Sequence, residues 1–122
     1  MASILIVDDE PSVVWLLRNA LEEAGYTTLG AGDGVEALEV LQSSPVDLIV
    51  LDLLMPRMDG LEFLQRLRAP GDTRPVLVLT AVSDSIEAAC ERGATFALTK
   101  PFDPDRLLEV VAKLLHIEDS PG

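Results

Sequence analysis

One cysteine, Cys90, one histidine, His116, and two lysines are all that 122 residues contain of these types. A single thiol excludes an intrachain disulfide and a thiolate metal cluster. His116 has no second histidine or cysteine with which to build a metal site. Nine basic residues stand against twenty-one acids, a net charge of −12. Nucleic-acid binding needs clustered Lys and Arg to neutralise phosphates, so no direct nucleic-acid binding is expected. No uncharged apolar run approaches the roughly 18 residues of a membrane span. Met1-Ala2-Ser3 leads directly into Ile4-Leu5-Ile6-Val7, without the basic segment or cleavage site of a leader. The expectation is therefore no membrane association and a reducing, cytoplasmic location. A core is well provided for: 48% of residues are hydrophobic and 25% charged, the balance of one soluble globular domain.

Short apolar runs alternate with amphipathic stretches along the whole chain. Ser3 to Val7 reads as a buried strand. Pro11 to Ala24 has helical spacing, with Val13, Leu17, Ala20 and Ala24 on one stripe, Pro11 in the first turn and Gly25 past the end. Thr27 to Gly30 is a more polar strand that suits a sheet edge. Asp33 can cap the next helix, with Glu36 reaching back; Val35, Leu38 and Leu41 form its apolar face. Val46 to Leu51 is the most apolar run and reads as a central strand. A helix from Gly60 to Arg68, a strand from Pro75 to Leu79, a helix from Asp84 to Arg92, a strand from Thr95 to Thr99 and a helix begun by Asp103-Pro104 complete the series. Trp15 and Cys90 read as packing residues.

Uniform strand–helix alternation implies an α/β fold with a parallel sheet and helices on both faces. Right-handed crossovers and a polar second strand favour a doubly wound five-stranded sheet in the order 2-1-3-4-5, the flavodoxin-like arrangement. Function is then expected beyond the carboxyl ends of the strands, at the switch point between the first and third. Asp8-Asp9-Glu10 follows the first strand, Asp52 the third, Thr80-Ala81 the fourth and Lys100-Pro101 the fifth. Neighbouring strands lie about 4.8 Å apart, which brings Asp8, Asp9 and Asp52 together. One aspartate after a strand is ordinarily a cap or turn residue. Three converging carboxylates repel one another unless a cation neutralises them, and Mg²⁺, hard and oxygen-seeking, is the fitting one.

With these residues in place the chain resembles the receiver domain of two-component response regulators, of the chemotaxis-receiver kind. The resemblance is carried by Ile6-Val7-Asp8-Asp9-Glu10-Pro11, by Leu51-Asp52-Leu53-Leu54-Met55-Pro56-Arg57-Met58-Asp59-Gly60, by Leu79-Thr80-Ala81, and by Gly93-Ala94 through Leu98-Thr99-Lys100-Pro101-Phe102. It spans nearly the whole chain, and four weak motifs in the right order on the right strand ends are together specific. It implies that Asp52 is the phosphoacceptor in a phosphorelay. It implies that Asp9, Asp52 and the backbone carbonyl of Leu54 bind Mg²⁺ directly, with Asp8 acting through water. Thr80 would hydrogen-bond the phosphoryl group, Lys100 would pair with it, and Pro101 would be the family's cis proline. The implied partners are a histidine kinase or phosphotransfer protein as donor, and a downstream partner or output domain at the face of the fourth helix, fifth strand and fifth helix. On this reading residues 1–118 form the receiver domain and 119–122 a polar tail or the start of a linker.

The sequence departs from the family pattern in two places. Ala97 stands where the family usually has an aromatic three residues before the lysine; Phe96 precedes it but alternates to the opposite face of the strand. Leu54 and Val82 flank the acceptor where polar groups are frequent. The alternative is a phosphate-independent interaction module of the same fold. The protein is expected to be a signalling domain rather than an enzyme: aspartyl-phosphate phosphatases resemble an Asp-x-Asp pattern, which Leu54 breaks. A flavin carrier would want a hydroxyl- and glycine-rich loop where Asp8-Asp9-Glu10 stands.

Overall fold

The computed structural model describes residues 2–53, 60–69, 71–81 and 84–119. Five strands alternate with five helices: β1 (Ser3–Val7), α1 (Pro11–Glu23), β2 (Thr27–Ala31), α2 (Gly34–Ser43), β3 (Leu48–Asp52), α3 (Gly60–Arg68), β4 (Val76–Thr80), α4 (Asp84–Glu91), β5 (Phe96–Thr99) and α5 (Pro104–Asp119). The strands form one parallel sheet in the order β2-β1-β3-β4-β5. The polar strand β2 lies at one edge, as its composition requires. The last helix continues through Asp119.

Strand alternation divides the core in two. Leu5 and Val7, Ile49 and Leu51, and Val76 and Val78 point to the face covered by α2, α3 and α4, where they meet Ala37, Phe63, Leu64 and Ala89. Ile4 and Ile6, Leu48 and Val50, and Leu77 and Leu79 point to the other face, against Leu17 and Leu21 of α1 and Leu107 and Val111 of α5. Strands covered on both faces are apolar at every position, and this is why β1, β3 and β4 read as unbroken runs. Each fully buried Leu or Ile contributes about 1.5–3 kcal/mol of burial free energy, so the sheet centre is the firmest part of the molecule and a rigid mount for its ends.

The helix ends follow local chemistry. Asp33 caps α2 by accepting a hydrogen bond from the Glu36 amide at 2.9 Å. Pro11 occupies the first turn of α1. The turn after α1 needs Gly25, at φ +101°, a conformation that costs an L side chain roughly 1–2 kcal/mol.

Two expectations are corrected. Trp15 is 67% exposed and Cys90 is also exposed, so neither packs in the core. The buried positions of α1 are Leu17 and Leu21. Trp15 is two residues from Leu17, about 200° around the helix, and must face solvent. Cys90 follows the buried Ala89 and is turned about 100° away from it. The α1 stripe accordingly runs through Leu21 rather than Ala20 and Ala24.

Candidate functional site

Each site residue is placed by the sheet. The register pairs Val7 with Leu51, so the next residues along each chain, Asp8 and Asp52, emerge side by side. Both share the strand parity of Ile6 and Val50 and lean toward the α1/α5 face. Asp8 is anchored by its amide donating to Ala31 O at 3.1 Å, and its Oδ1 accepts from the Glu10 amide at 2.9 Å. The latter is a small Asx-type turn that starts the chain toward α1.

At the far side of the rim Thr80 is paired with Thr99, and Lys100 follows. The Lys100 amide donates to Thr80 O at 2.8 Å, and the Lys100–Pro101 peptide is cis. Lys100 has the parity of Leu98, which also faces α1 and α5. Its ammonium therefore reaches the acids: Nζ lies 3.5 Å from Asp8 Oδ2 and 3.6 Å from Asp52 Oδ1. Thr80, with the opposite parity to Leu79, belongs to the α4 side and is fully buried.

Asp8, Asp9 and Asp52 each present a carboxylate oxygen within 4.8 Å of the others, with Asp8 and Asp52 buried and Asp9 exposed. At that separation two unit charges in a partly buried setting repel by roughly 3 kcal/mol at an effective dielectric of 20. One lysine against three carboxylates leaves the cluster two charges short of neutrality, and a divalent cation fits that deficit. The spacing fits as well. Magnesium holds oxygens at about 2.0–2.1 Å in an octahedron, so its ligands are about 3–4 Å from one another, within small side-chain adjustments of this cluster. Leu54, whose carbonyl the resemblance adds to the ligand set, lies outside the described residues, as does Val82.

Gly60 is a site residue that sequence reasoning took only for a helix start. Its amide donates to Leu53 O at 2.9 Å. A Cβ there would stand 2.6 Å from Leu53 Cα and 2.8 Å from Asp52 O. The start of α3 is thus seated on the backbone of Asp52 itself, and only glycine allows that approach. The signal was present in Asp59-Gly60 ahead of an apolar helix, but a cap and a close contact look alike in a sequence.

The model of the response regulator receiver domain matches residues 4–112. The chain belongs to that family. It is a receiver domain of two-component signalling, with the doubly wound five-stranded fold of such domains. It is 48% identical to the response regulator MprA of Mycobacterium ulcerans and 46% identical to that of Mycobacterium tuberculosis, in each case over 93% of this chain and 50% of the relative. The chain therefore spans about half the length of these curated relatives. Among solved structures it is similar to the receiver domain of a Francisella response regulator, with a TM-score of 0.92 at 31% identity, covering 98% of this chain and all of that one. It is also similar to the Thermotoga maritima response regulator TrrA in complex with Mg²⁺ and BeF, with a TM-score of 0.86 at 37% identity over 93% of this chain and 99% of that one. No helix among the described residues of this receiver is long and apolar enough to cross a membrane.

Proposed function

We propose that this receiver is a phosphorylation-controlled switch in which Asp52 accepts a phosphoryl group from a phosphohistidine of a kinase or phosphotransfer protein. The observation that carries this reading is the clustering of Asp8, Asp9 and Asp52 within 4.8 Å, with the Lys100 ammonium reaching between Asp8 and Asp52. Phosphoryl transfer asks for positioning and charge neutralisation more than for covalent help. One Asp52 carboxylate oxygen attacks phosphorus as the bond to the donor imidazole nitrogen breaks, and that nitrogen keeps the electron pair. Lys100 is placed to take a phosphoryl oxygen in exchange for part of its contact with Asp52.

Asp8, Asp9 and Asp52, with the Leu54 carbonyl, would hold Mg²⁺, which when bound neutralises charge on the transferring oxygens. The new group carries about −1.5 to −2 charges. Thr80, buried on the α4 side, would turn its hydroxyl toward it, biasing α4 and the adjoining β5 and α5 surface read by a downstream partner or output domain. This is a two-state population shift, worth only as much as the difference in contacts between the two states. A cytoplasmic setting and slow self-dephosphorylation accompany the reading.

The test is labelling by acetyl phosphate with Mg²⁺, read by intact mass. One phosphoryl group is expected on the wild type and none on Asp52→Asn. Undiminished labelling of Asp52→Asn would place the acceptor elsewhere. Absence of labelling in the wild type, with no Mg²⁺ effect on stability, would favour a phosphate-independent interaction module.

A further inference from the structure

Asp9 is the least fixed member of the acid cluster. Asp8 is held by the Ala31 carbonyl and the Glu10 amide, whereas the exposed Asp9 carboxylate has no hydrogen bond or ion pair among the described residues. It stands in the middle of a short link, Asp8 to Glu10, between the end of β1 and the start of α1. Such a link reaches at most about 10 Å and has little slack. Its α1 end is not fixed by a side chain of its own, because Glu10 at the N-cap makes no capping bond and Pro11 brings no amide. The position of Asp9 therefore depends on how α1 is seated on the sheet.

That seat differs between the two strands beneath it. On β1, α1 rests on Ile4 and Ile6 through Leu17 and Leu21. On β2 the residues of the same face are Thr28 and Gly30, which the register sets beside Ile4 and Ile6; Leu29 and Ala31 belong to the opposite face. Neither supplies the apolar side chain that the central strands place under their helices. Thr28, only 5% exposed, donates its hydroxyl to Glu22 Oε2 and accepts from Arg18 Nε at 3.0 Å. Gly30 lets the helix approach: a Cβ there would stand 3.2 Å from Val14 Cγ1, closer than the roughly 3.5–4.0 Å of an optimal carbon–carbon contact. Val14, Arg18 and Glu22 follow one another at four-residue steps and form one edge of α1. That edge is keyed to β2 by one hydroxyl and one missing side chain.

We propose that Thr28 and Gly30 are positioning residues for Mg²⁺ binding, fixing the rotation and height of α1 over the edge strand and so holding Asp9 against Asp8 and Asp52. Neither touches the ion. The inference rests on the reading of the acid cluster as a Mg²⁺ site. Hydrogen bonds to Thr28 fix rotation because they are directional, which apolar contact alone is not. Asp8 and Asp52 are mounted on the sheet itself, so a loosened seat is felt at Asp9 and reads out as weaker binding of the ion.

Calorimetric titration of the full chain with MgCl₂ measures the ion's Kd directly. Thr28→Val keeps the shape and removes the hydroxyl; its Kd should rise about fivefold, less than the roughly 10–100-fold that loss of a ligand's own partner costs. Thr28→Ser keeps the hydroxyl and should bind as the wild type does. Gly30→Ala should weaken binding by a similar factor, and adding Val14→Ala, which removes the methyl group that the new Cβ meets, should bring the Kd back toward that of the wild type. Arg68→Ala, altered at the far rim, is the control and should keep the wild-type Kd.

Unchanged Kd values in Thr28→Val and Gly30→Ala would overturn the proposal. So would a Kd that rises equally in Arg68→Ala, which would trace the effect to lost stability, or in Thr28→Ser, which would trace it to side-chain volume. Failure of Val14→Ala to rescue Gly30→Ala would overturn the assignment of Gly30. A wild type that binds no Mg²⁺ would overturn the metal reading and this inference with it, whereas unchanged variants of a wild type that does bind leave that reading standing.

Discussion

At the carboxyl ends of the strands, three carboxylates lie close together and one ammonium, that of Lys100, reaches two of them. At the amino ends of β4 and β5 the charged groups are largely held by one another and by backbone carbonyls. Arg68 Nε and Nη2 donate to Gly93 O at 3.1 and 2.9 Å, and its Nη1 donates to Asp72 O at 2.9 Å. Asp72 in turn takes the Arg74 amide at 2.9 Å and lies 3.3 Å from Arg74 Nε. One arginine thereby ties the end of α3, the loop into β4 and the turn into β5. Only Arg74 Nη1 is left as a buried side-chain nitrogen without a partner among the described residues. The comparison separates two uses of charge. A cluster whose members largely satisfy one another holds loops in place, whereas a partly buried cluster left two charges short leaves room for a cation.

The largest effect expected from this difference is in the response to Mg²⁺. A ligand bound only by the folded state stabilises it by RT ln(1 + [L]/Kd), about 2.7 kcal/mol at 100 times Kd. Urea unfolding should show an increment of that size for the wild type and none for Asp9→Ala. Arg68→Ala should keep the whole increment, because the two ends of a five-residue strand are about 16 Å apart and such distant changes add. An increment retained by Asp9→Ala would show that the deficit at the carboxyl rim is not what the ion answers.

The converse change is somewhat smaller. Arg68→Ala removes three hydrogen bonds from a guanidinium only 20% exposed. Charge-assisted bonds at partly buried sites are worth about 1.5–3 kcal/mol, and water can replace some of them here, so a loss of about 2 kcal/mol is expected in urea. Acetyl phosphate labelling of Asp52 should not change once the protein is folded. Reduced labelling in the folded variant would mean that the two rims are coupled more tightly than their contacts suggest.

How much of this was readable beforehand differs between the rims as well. Strand order and the meeting of Asp8, Asp9, Asp52 and Lys100 followed from hydrophobic periodicity and from the position of each residue at the end of its strand or just past it. A parallel sheet turns such positions into neighbours with little freedom. The amino rim was not legible, because Arg68 and Gly93 are joined by the angle between a loop and a helix end, which no local pattern encodes. Gly93 marked a turn, but that a Cβ there would stand 2.8 Å from Arg68 Cγ is visible only in three dimensions. The exposure of Trp15 was legible in principle. Counting two residues from Leu17 settles it, whereas the general habit of tryptophan to be buried pointed the other way.

The smallest effect concerns how far a signal at the carboxyl rim travels, and α4 is the element to watch because it runs from one rim toward the other. Its first residue, Asp84, lies four positions beyond Thr80. Its last turn leads into Gly93, whose carbonyl is clamped by two donors of Arg68. Ala97 lies on the α4 side of β5 and offers no ring to swing, while Phe96 faces the other way and is covered by Arg106 at 5.8 Å. A phosphoryl mimic should therefore move the start of α4 and little else. Amide NMR shifts on adding beryllofluoride and Mg²⁺ should be largest at Ala81 and Asp84, smaller at Ala97 and Leu98, and close to zero at Gly93. In Arg68→Ala the clamp is gone, and the Gly93 shift should grow toward that of Ala97. Shifts at Ala97 and Leu98 exceeding those at Ala81 and Asp84 would show that β5 carries the signal without an aromatic. A Gly93 shift that is large in the wild type would show that the satisfied rim is no anchor.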